Sequence, residues 1–205
     1  MLIKNFQLGQ LETNCYIVTD ENTMKCAVID PGDESNTVLD YIESNNLKAE
    51  QIFLTHGHFD HTMAADTVAE ETGADIWLHK ADLTPAGVGA DFYTFKSDRE
   101  LKFYKNGDEI EVGGLTFHVI ETPGHSKGSV TLRCGNCLFT GDCLFHGSCG
   151  RVDFPGGSFE EMARSLRKLH DLEGDFEVYP GHMEATSLSA ERGSNPFMKS
   201  AMGEE

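Results

Sequence analysis

Thr55-His56-Gly57-His58-Phe59-Asp60-His61 follows directly on Gln51-Ile52-Phe53-Leu54. The apolar tetrapeptide reads as a buried strand. In extended chain, residues two apart point the same way, so His56 and His58 leave the strand end on one side. A turn into helix then carries Asp60 and His61 round to an adjacent position. Four metal-ligand side chains in six residues are too many for one tetrahedral ion in that geometry. They suit two neighbouring ions, each completed from elsewhere in the chain.

Three further positions repeat the same context. His125 follows the apolar residues 117–120 through Thr122-Pro123-Gly124. Asp142 follows residues 138–140 through Gly141, and His182 follows residues 176–179 through Pro180-Gly181. Each time a short apolar strand ends, a Gly or Pro-Gly turn opens, and a ligand side chain is presented. Strand ends along one edge of a layered α/β fold are where sites form. His79, His118, His146 and His170 lack this context and read as surface or structural residues.

Working outward, strand-like runs occupy residues 2–8, 14–19 and 26–29, and a helix is predicted over 37–45. Residues 62–72 read as one helix ended by Gly73, and 75–78 as a strand. Residues 80–107 read as short helices and loop. Strands follow at 109–112, 115–121, 129–134 and 137–140, with Gly113-Gly114 and Gly135-Asn136 as two-residue hairpin turns. Residues 147–157 form a glycine-rich loop. Ser158-Phe159-Glu160-Glu161 is a capping box opening a helix to about Leu169. A strand at 176–179 and a short C-terminal helix complete the chain. Strands and helices interleave around central hairpins, which predicts an α/β sandwich: two mixed sheets covered by helices, in a single domain over residues 1–205.

Composition narrows the function. The 205 residues carry 34 acidic and 16 basic side chains, a formal net charge of −18. Affinity for nucleic acid comes mostly from Lys and Arg on phosphates, so an acidic chain argues against that partner. It argues equally against docking on an anionic membrane surface. The N-terminal residues lack the basic stretch and apolar run of a signal peptide, and no apolar stretch has transmembrane length. The six cysteines read as reduced thiols of a cytoplasmic protein. Cys134-Gly135-Asn136-Cys137 lacks the second pair that a structural zinc site needs and reads as a hairpin.

The order His-x-His-x-Asp-His, then a distant His, Asp and His, resembles the metallo-β-lactamase superfamily over essentially the whole chain. Asp30-Pro31-Gly32 matches its first motif. The resemblance implies a four-layered αββα sandwich and two divalent metal ions, zinc first, with iron or manganese as alternatives. It implies that His56, His58 and His125 hold one ion, that Asp60, His61 and His182 hold the other, and that Asp142 bridges them. Asp30 would orient a ligand from behind. Asp60 and Asp142 would also fix the direction of a metal-bridging hydroxide.

The segment Gly147-Ser148-Cys149-Gly150-Arg151-Val152-Asp153-Phe154-Pro155-Gly156-Gly157 is similar to the substrate loop of small hydroxyacylglutathione hydrolases, the glyoxalase II-like proteins. The tail Glu191-Arg192-Gly193-Ser194-Asn195-Pro196-Phe197 resembles theirs too. Arg151 stands where those enzymes often carry Lys, and a chain of this length is expected to stop short of the helical C-terminal domain of the longer enzymes. These likenesses imply hydrolysis of a small anionic thioester such as S-lactoylglutathione. Arg151, Ser148 and Cys149 are the candidate substrate contacts. Arg151 has a planar fork suited to a carboxylate, or else a pairing role with Asp153. The same loop resembles persulfide dioxygenases, which use one iron in this scaffold. Lactone, ester or amide hydrolysis, or metal binding without catalysis, rank lower.

Overall fold

The structure is a computed structural model describing residues 1–84 and 91–203. It contains two six-stranded mixed sheets. The first is built from β1 (Leu2–Leu8), β2 (Thr13–Asp20), β3 (Lys25–Ile29), β4 (Lys48–Phe53), β5 (Asp75–Leu78) and β6 (Leu101–Phe103), in that spatial order. Its first three strands are antiparallel neighbours and its last four run parallel. The second sheet holds β7 (Glu109–Val112), β8 (Leu115–Glu121), β9 (Val130–Cys134), β10 (Cys137–Gly141), β11 (Glu177–Pro180) and β12 (Thr186–Ser187). There only β10 and β11 are parallel.

Strand periodicity distributes side chains between layers. In β2, Ile17 faces outward to the helices while Tyr16 and Val18 face the other sheet. In β3, Val28 faces outward, and Ala27 and Ile29 face inward. Phe53 alternates with Ile52 and Leu54 in the same way. The first sheet packs outward on α1 (Ser35–Ser44) and α3 (Ala65–Thr72) through Val38, Ile42 and Val68. Between the sheets lie Phe53, Phe117, Leu132 and Phe139. The second sheet turns Leu138 and Val178 onto α4 (Phe159–His170), α5 (Leu188–Ser194) and α6 (Pro196–Met202). Three apolar layers between four structural layers make the αββα sandwich.

The predicted helix over 62–72 is divided. A single turn, α2 (Phe59–Thr62), precedes α3. The Ala64 N–H donates to the Pro31 carbonyl at 3.0 Å instead of continuing the turn. Gly32 permits that approach, because a Cβ there would overlap the Asp60 carbonyl. Residues 80–107 contain a 3₁₀ turn at Lys80–Asp82 and the edge strand β6, which the sequence reading lacks. Residues 85–90 of that stretch lie outside the described residues. The C-terminus forms two helices rather than one, joined at Asn195, whose side chain caps α6. Of the expected capping box only the N-cap half forms: Ser158 Oγ accepts from the Glu161 N–H at 3.3 Å, while the Ser158 N–H donates to the Gly124 carbonyl instead of to Glu161.

Candidate metal centre

The chain leaves β4 at Phe53, and the next residues line one side of the gap between the sheets. Asp30, at the end of β3, organises them. Its backbone is in the left-handed region, with φ +51°, unusual for a residue with a Cβ. One carboxylate oxygen accepts from the Thr55 N–H at 2.7 Å. The other accepts from the Thr55 hydroxyl at 2.7 Å and faces His61 Nδ1 at 2.9 Å.

Three of the other histidines are held by the same logic. His56 Nδ1 meets Thr55 Oγ1 at 3.1 Å, His125 Nδ1 meets the Arg151 carbonyl at 2.7 Å, and His182 Nδ1 meets the Leu11 carbonyl at 3.1 Å. Carbonyls and carboxylates only accept, so His61, His125 and His182 each carry a proton on Nδ1. The Thr55 hydroxyl proton is already given to Asp30, so His56 Nδ1 is also the donor. When these four rings are neutral, each Nε2 then presents a bare lone pair. Such hydrogen bonds are how proteins fix the tautomer and direction of metal-binding imidazoles.

Those lone pairs converge. The ligand atoms of His56, His58 and His125 lie within 4.8 Å of one another, as do those of His56, His61 and Asp142, and those of Asp60, His61 and His182. Asp142 stands between the groups, with Oδ1 3.4 Å from His61 Nε2 and Oδ2 3.3 Å from His125 Nε2. Asp60 Oδ2 is 3.2 Å from His182 Nε2. Gly181 lets the His182 loop come this close, since a Cβ there would crowd Asp142 and His61. Nε2 of His56, His58, His61 and His125 and Oδ1 of Asp142 are buried without a hydrogen-bond partner. Buried polar atoms are rarely left so, and a group of them aimed at one space fits cations.

The electrostatics divide the cluster between rings held neutral and a ring held charged by its carboxylates. Burial, reinforced by the neighbouring rings, holds His56 well below the ordinary histidine value and His58 down to about 4. Both are neutral, as ligands must be. Burial also acts to lower His61, but the Asp142 and Asp30 carboxylates outweigh it and hold His61 raised. Burial opposes charge on Asp142, yet the surrounding histidines keep it ionised, well below the usual carboxylate range.

Above the cluster opens a cavity of about 700 Å³. Arg151 is on its wall, but its fork is engaged: Nε and a terminal nitrogen each donate to Asp153 at 2.7 Å. Its guanidinium lies 3.9 Å over the Phe154 ring. Ser148 and Cys149 do not line this cavity. Ser148 pairs its backbone with Phe145, and Cys149 packs half-buried beneath the helices, where burial pushes its thiol up to about 11.

Two supports have no sequence signature. Asp82, buried, accepts from the Gly57 N–H at 2.9 Å, the Ser126 hydroxyl at 2.6 Å and the Gly128 N–H at 2.7 Å. It thus fastens the His56–His58 loop to the His125 loop. Asn14, at the start of β2, donates to the Pro180 and Met183 carbonyls and frames His182. Both partners are remote in sequence, so only a pattern across distant loops could have marked them.

A sandwich of this topology with seven such donors at the strand ends is a metallo-hydrolase architecture. The Metallo-beta-lactamase superfamily model matches residues 8–182, and the chain belongs to that family. It is 31% identical to the hydroxyacylglutathione hydrolase GloC of Haemophilus influenzae, over 98% of this chain and 99% of that protein. Among solved structures it resembles the B3 metallo-β-lactamase BLEG-1 (TM-score 0.85, 30% identity, 96% of this chain and 99% of that one). It also resembles TTHA1623 in a di-iron-bound form (0.82, 34%, 95% and 99%) and ETHE1 from Myxococcus xanthus (0.82, 30%, 96% and 84%). Among the described residues, no helix is long and apolar enough to cross a membrane.

Proposed function

We propose that the protein is a dinuclear metal-dependent thioester hydrolase. The observation carrying this is the set of buried, unpartnered Nε2 atoms around Asp142. His56, His58 and His125 would hold one ion, Asp60, His61 and His182 the other, and Asp142 offers one oxygen to each side. Imidazole with carboxylate suits zinc, with iron and manganese as alternatives. When bound, two such ions supply a water acidified towards neutrality and a Lewis acid for the carbonyl oxygen.

The chain's own residues supply orientation. Asp30 and Thr55 fix the His56 and His61 rings, and the Arg151 and Leu11 carbonyls fix His125 and His182. Asp60 is braced by the Thr13 hydroxyl at 3.1 Å. A thiolate leaves without a proton. That suits a cavity whose only ionisable lining groups outside the donor set, among the described residues, are Tyr93 and Arg151. The likeness to GloC supports the thioester class, which includes S-lactoylglutathione.

The test is a panel of thioesters, nitrocefin and glutathione persulfide, assayed with metal-loaded protein. Thioester turnover with about two metals per chain is the expected result. In Asp142→Ala both metal content and turnover fall, and an active, metal-depleted Asp142→Ala protein overturns the scheme. A second reading is a one-iron persulfide dioxygenase. The group His56, His61 and Asp142 has the two-histidine, one-carboxylate composition of such iron sites. One iron per chain with oxygen uptake on the persulfide selects it.

A further inference from the structure

The cavity wall is aromatic on both sides of the donor cluster. Phe154 lies 5.9 Å from the His58 ring and 6.4 Å from the His125 ring, and Tyr93 packs on Phe154 at 5.1 Å. On the other side Phe145 lies 6.0 Å from the His182 ring. Phe59 and Phe92 meet edge to face at 5.1 Å and continue the wall outward, with Phe92 66% exposed. Leu11, 53% exposed, closes the rim. Each donor triad therefore has its own apolar neighbour. A scissile bond laid across the cluster would have an aromatic surface at both ends.

Charge recognition is weak by comparison. Among the described residues Arg151 is the only Lys or Arg lining the cavity, and its fork faces Asp153. The sequence of residues 85–90, Pro-Ala-Gly-Val-Gly-Ala, holds no ionisable side chain. Asp91, beside Phe92, turns its carboxylate back onto the Tyr93 and Thr94 amides. A glutathione carrier has two carboxylates and an ammonium, several bonds from the sulfur. What the described part of the wall offers those charges is phenyl rings and a guanidinium paired with Asp153.

Resting on the thioester reading, we propose that this site selects thioesters with apolar flanks: an aryl or medium-chain acyl group on a small uncharged thiol. Asp153 is a specificity-determining residue, because its carboxylate, in a solvent-exposed pair, competes with a substrate carboxylate for the Arg151 fork over Phe154. Aromatic walls gain by covering apolar area, and each added apolar group discriminates by about tenfold or more.

The experiment has one catalytic arm and one binding arm. Metal-loaded protein is given N-acetylcysteamine thioesters with acetyl, butyryl, hexanoyl and phenylacetyl groups, beside S-lactoylglutathione. We expect kcat/KM to rise by about tenfold from acetyl to phenylacetyl, carried by KM, and to exceed that for S-lactoylglutathione. Calorimetry compares the inert thioethers S-benzyl-N-acetylcysteamine and S-methylglutathione, with the first expected to bind about tenfold more tightly. Phe92→Ala narrows both preferences. Asp153→Asn lowers KM for S-lactoylglutathione. Preference for S-lactoylglutathione overturns the inference while leaving thioester hydrolysis standing. Absence of any thioester turnover, with S-benzyl-N-acetylcysteamine still bound tightly, overturns the hydrolase reading and keeps the apolar site. Tighter binding of S-methylglutathione sinks the inference whatever is hydrolysed.

Discussion

Asp82 has no catalytic atom to touch, yet its carboxylate fastens two loops that carry three metal donors. It accepts from Gly57, between His56 and His58, and from Ser126 and Gly128, just beyond His125. Burial pushes its pKa up, while those three donors favour its ionised form. Removing the carboxylate frees one loop from the other and spreads the Nε2 atoms. Partners that orient metal ligands from behind are worth about 10–100-fold in metal affinity. Asp82→Ala should therefore weaken one metal by about that factor in a chelator-competition titration, leaving the Asp60–His61–His182 side less affected. Asp82→Asn keeps an acceptor oxygen and recovers part of the loss. Equal weakening at both sites would point to general unfolding and refute the assignment. Asp30 makes the contrast: its Asp-Pro-Gly motif is visible in the sequence, whereas Asp82 sits in a stretch without periodicity.

The elements repeat this division between local and distant causes. Helix α4 was readable because its signals are its own. Ser158 caps it, Glu160 and Glu161 sit in its first turn, and Arg167, Lys168 and His170 in its last. Ser158→Ala removes the cap and should cost about 1 kcal/mol. In a chain of this size that lowers the melting temperature by about 2–4 °C, measurable by calorimetry. No change would mean that burial of Met162, Leu166 and Leu169 alone sets the helix start. The convergence of the candidate donors has a local cause as well, since His56, His125, Asp142 and His182 each stand just beyond an apolar strand and Asp60 and His61 follow in α2. The break between α2 and α3 was hidden because its cause, the Pro31 carbonyl, comes from another loop. The edge strand β6 was hidden because three residues paired to β5 carry too little pattern. Arg151 was legible as a choice between substrate and Asp153, and the fold pairs it with Asp153.

Joining the sheets is a matter for the whole molecule, and one acidic side chain shows how it titrates. Asp20, at the end of β2, accepts from the Thr23 hydroxyl at 2.7 Å and from the N–H of Gly114, in the β7–β8 turn, at 2.8 Å. These bonds hold its carboxyl below the ordinary range. A depressed acid stabilises the fold above its unfolded pKa, about 4, and loses that contribution as pH falls through the lower folded value. The stability gap between wild type and Asp20→Asn, from urea titrations, should therefore be constant at neutral pH and close below about pH 4.

Metal removal acts on the same whole. Without ions, Nε2 of His56, His58, His61 and His125 stays buried and unpaired, and Asp142 faces them alone. Ions that bind only the folded chain stabilise it by mass action, about 2.7 kcal/mol at one hundred times the dissociation constant. At about 2–4 °C per kcal/mol, chelation should lower the melting temperature by about 5–10 °C. Readdition of zinc should restore it in proportion to the logarithm of free metal. In His56→Ala the response should shrink, because His56 belongs to two of the three donor groups. A melting temperature indifferent to chelation, with metal loss verified, would show that the donors do not hold ions in the folded chain.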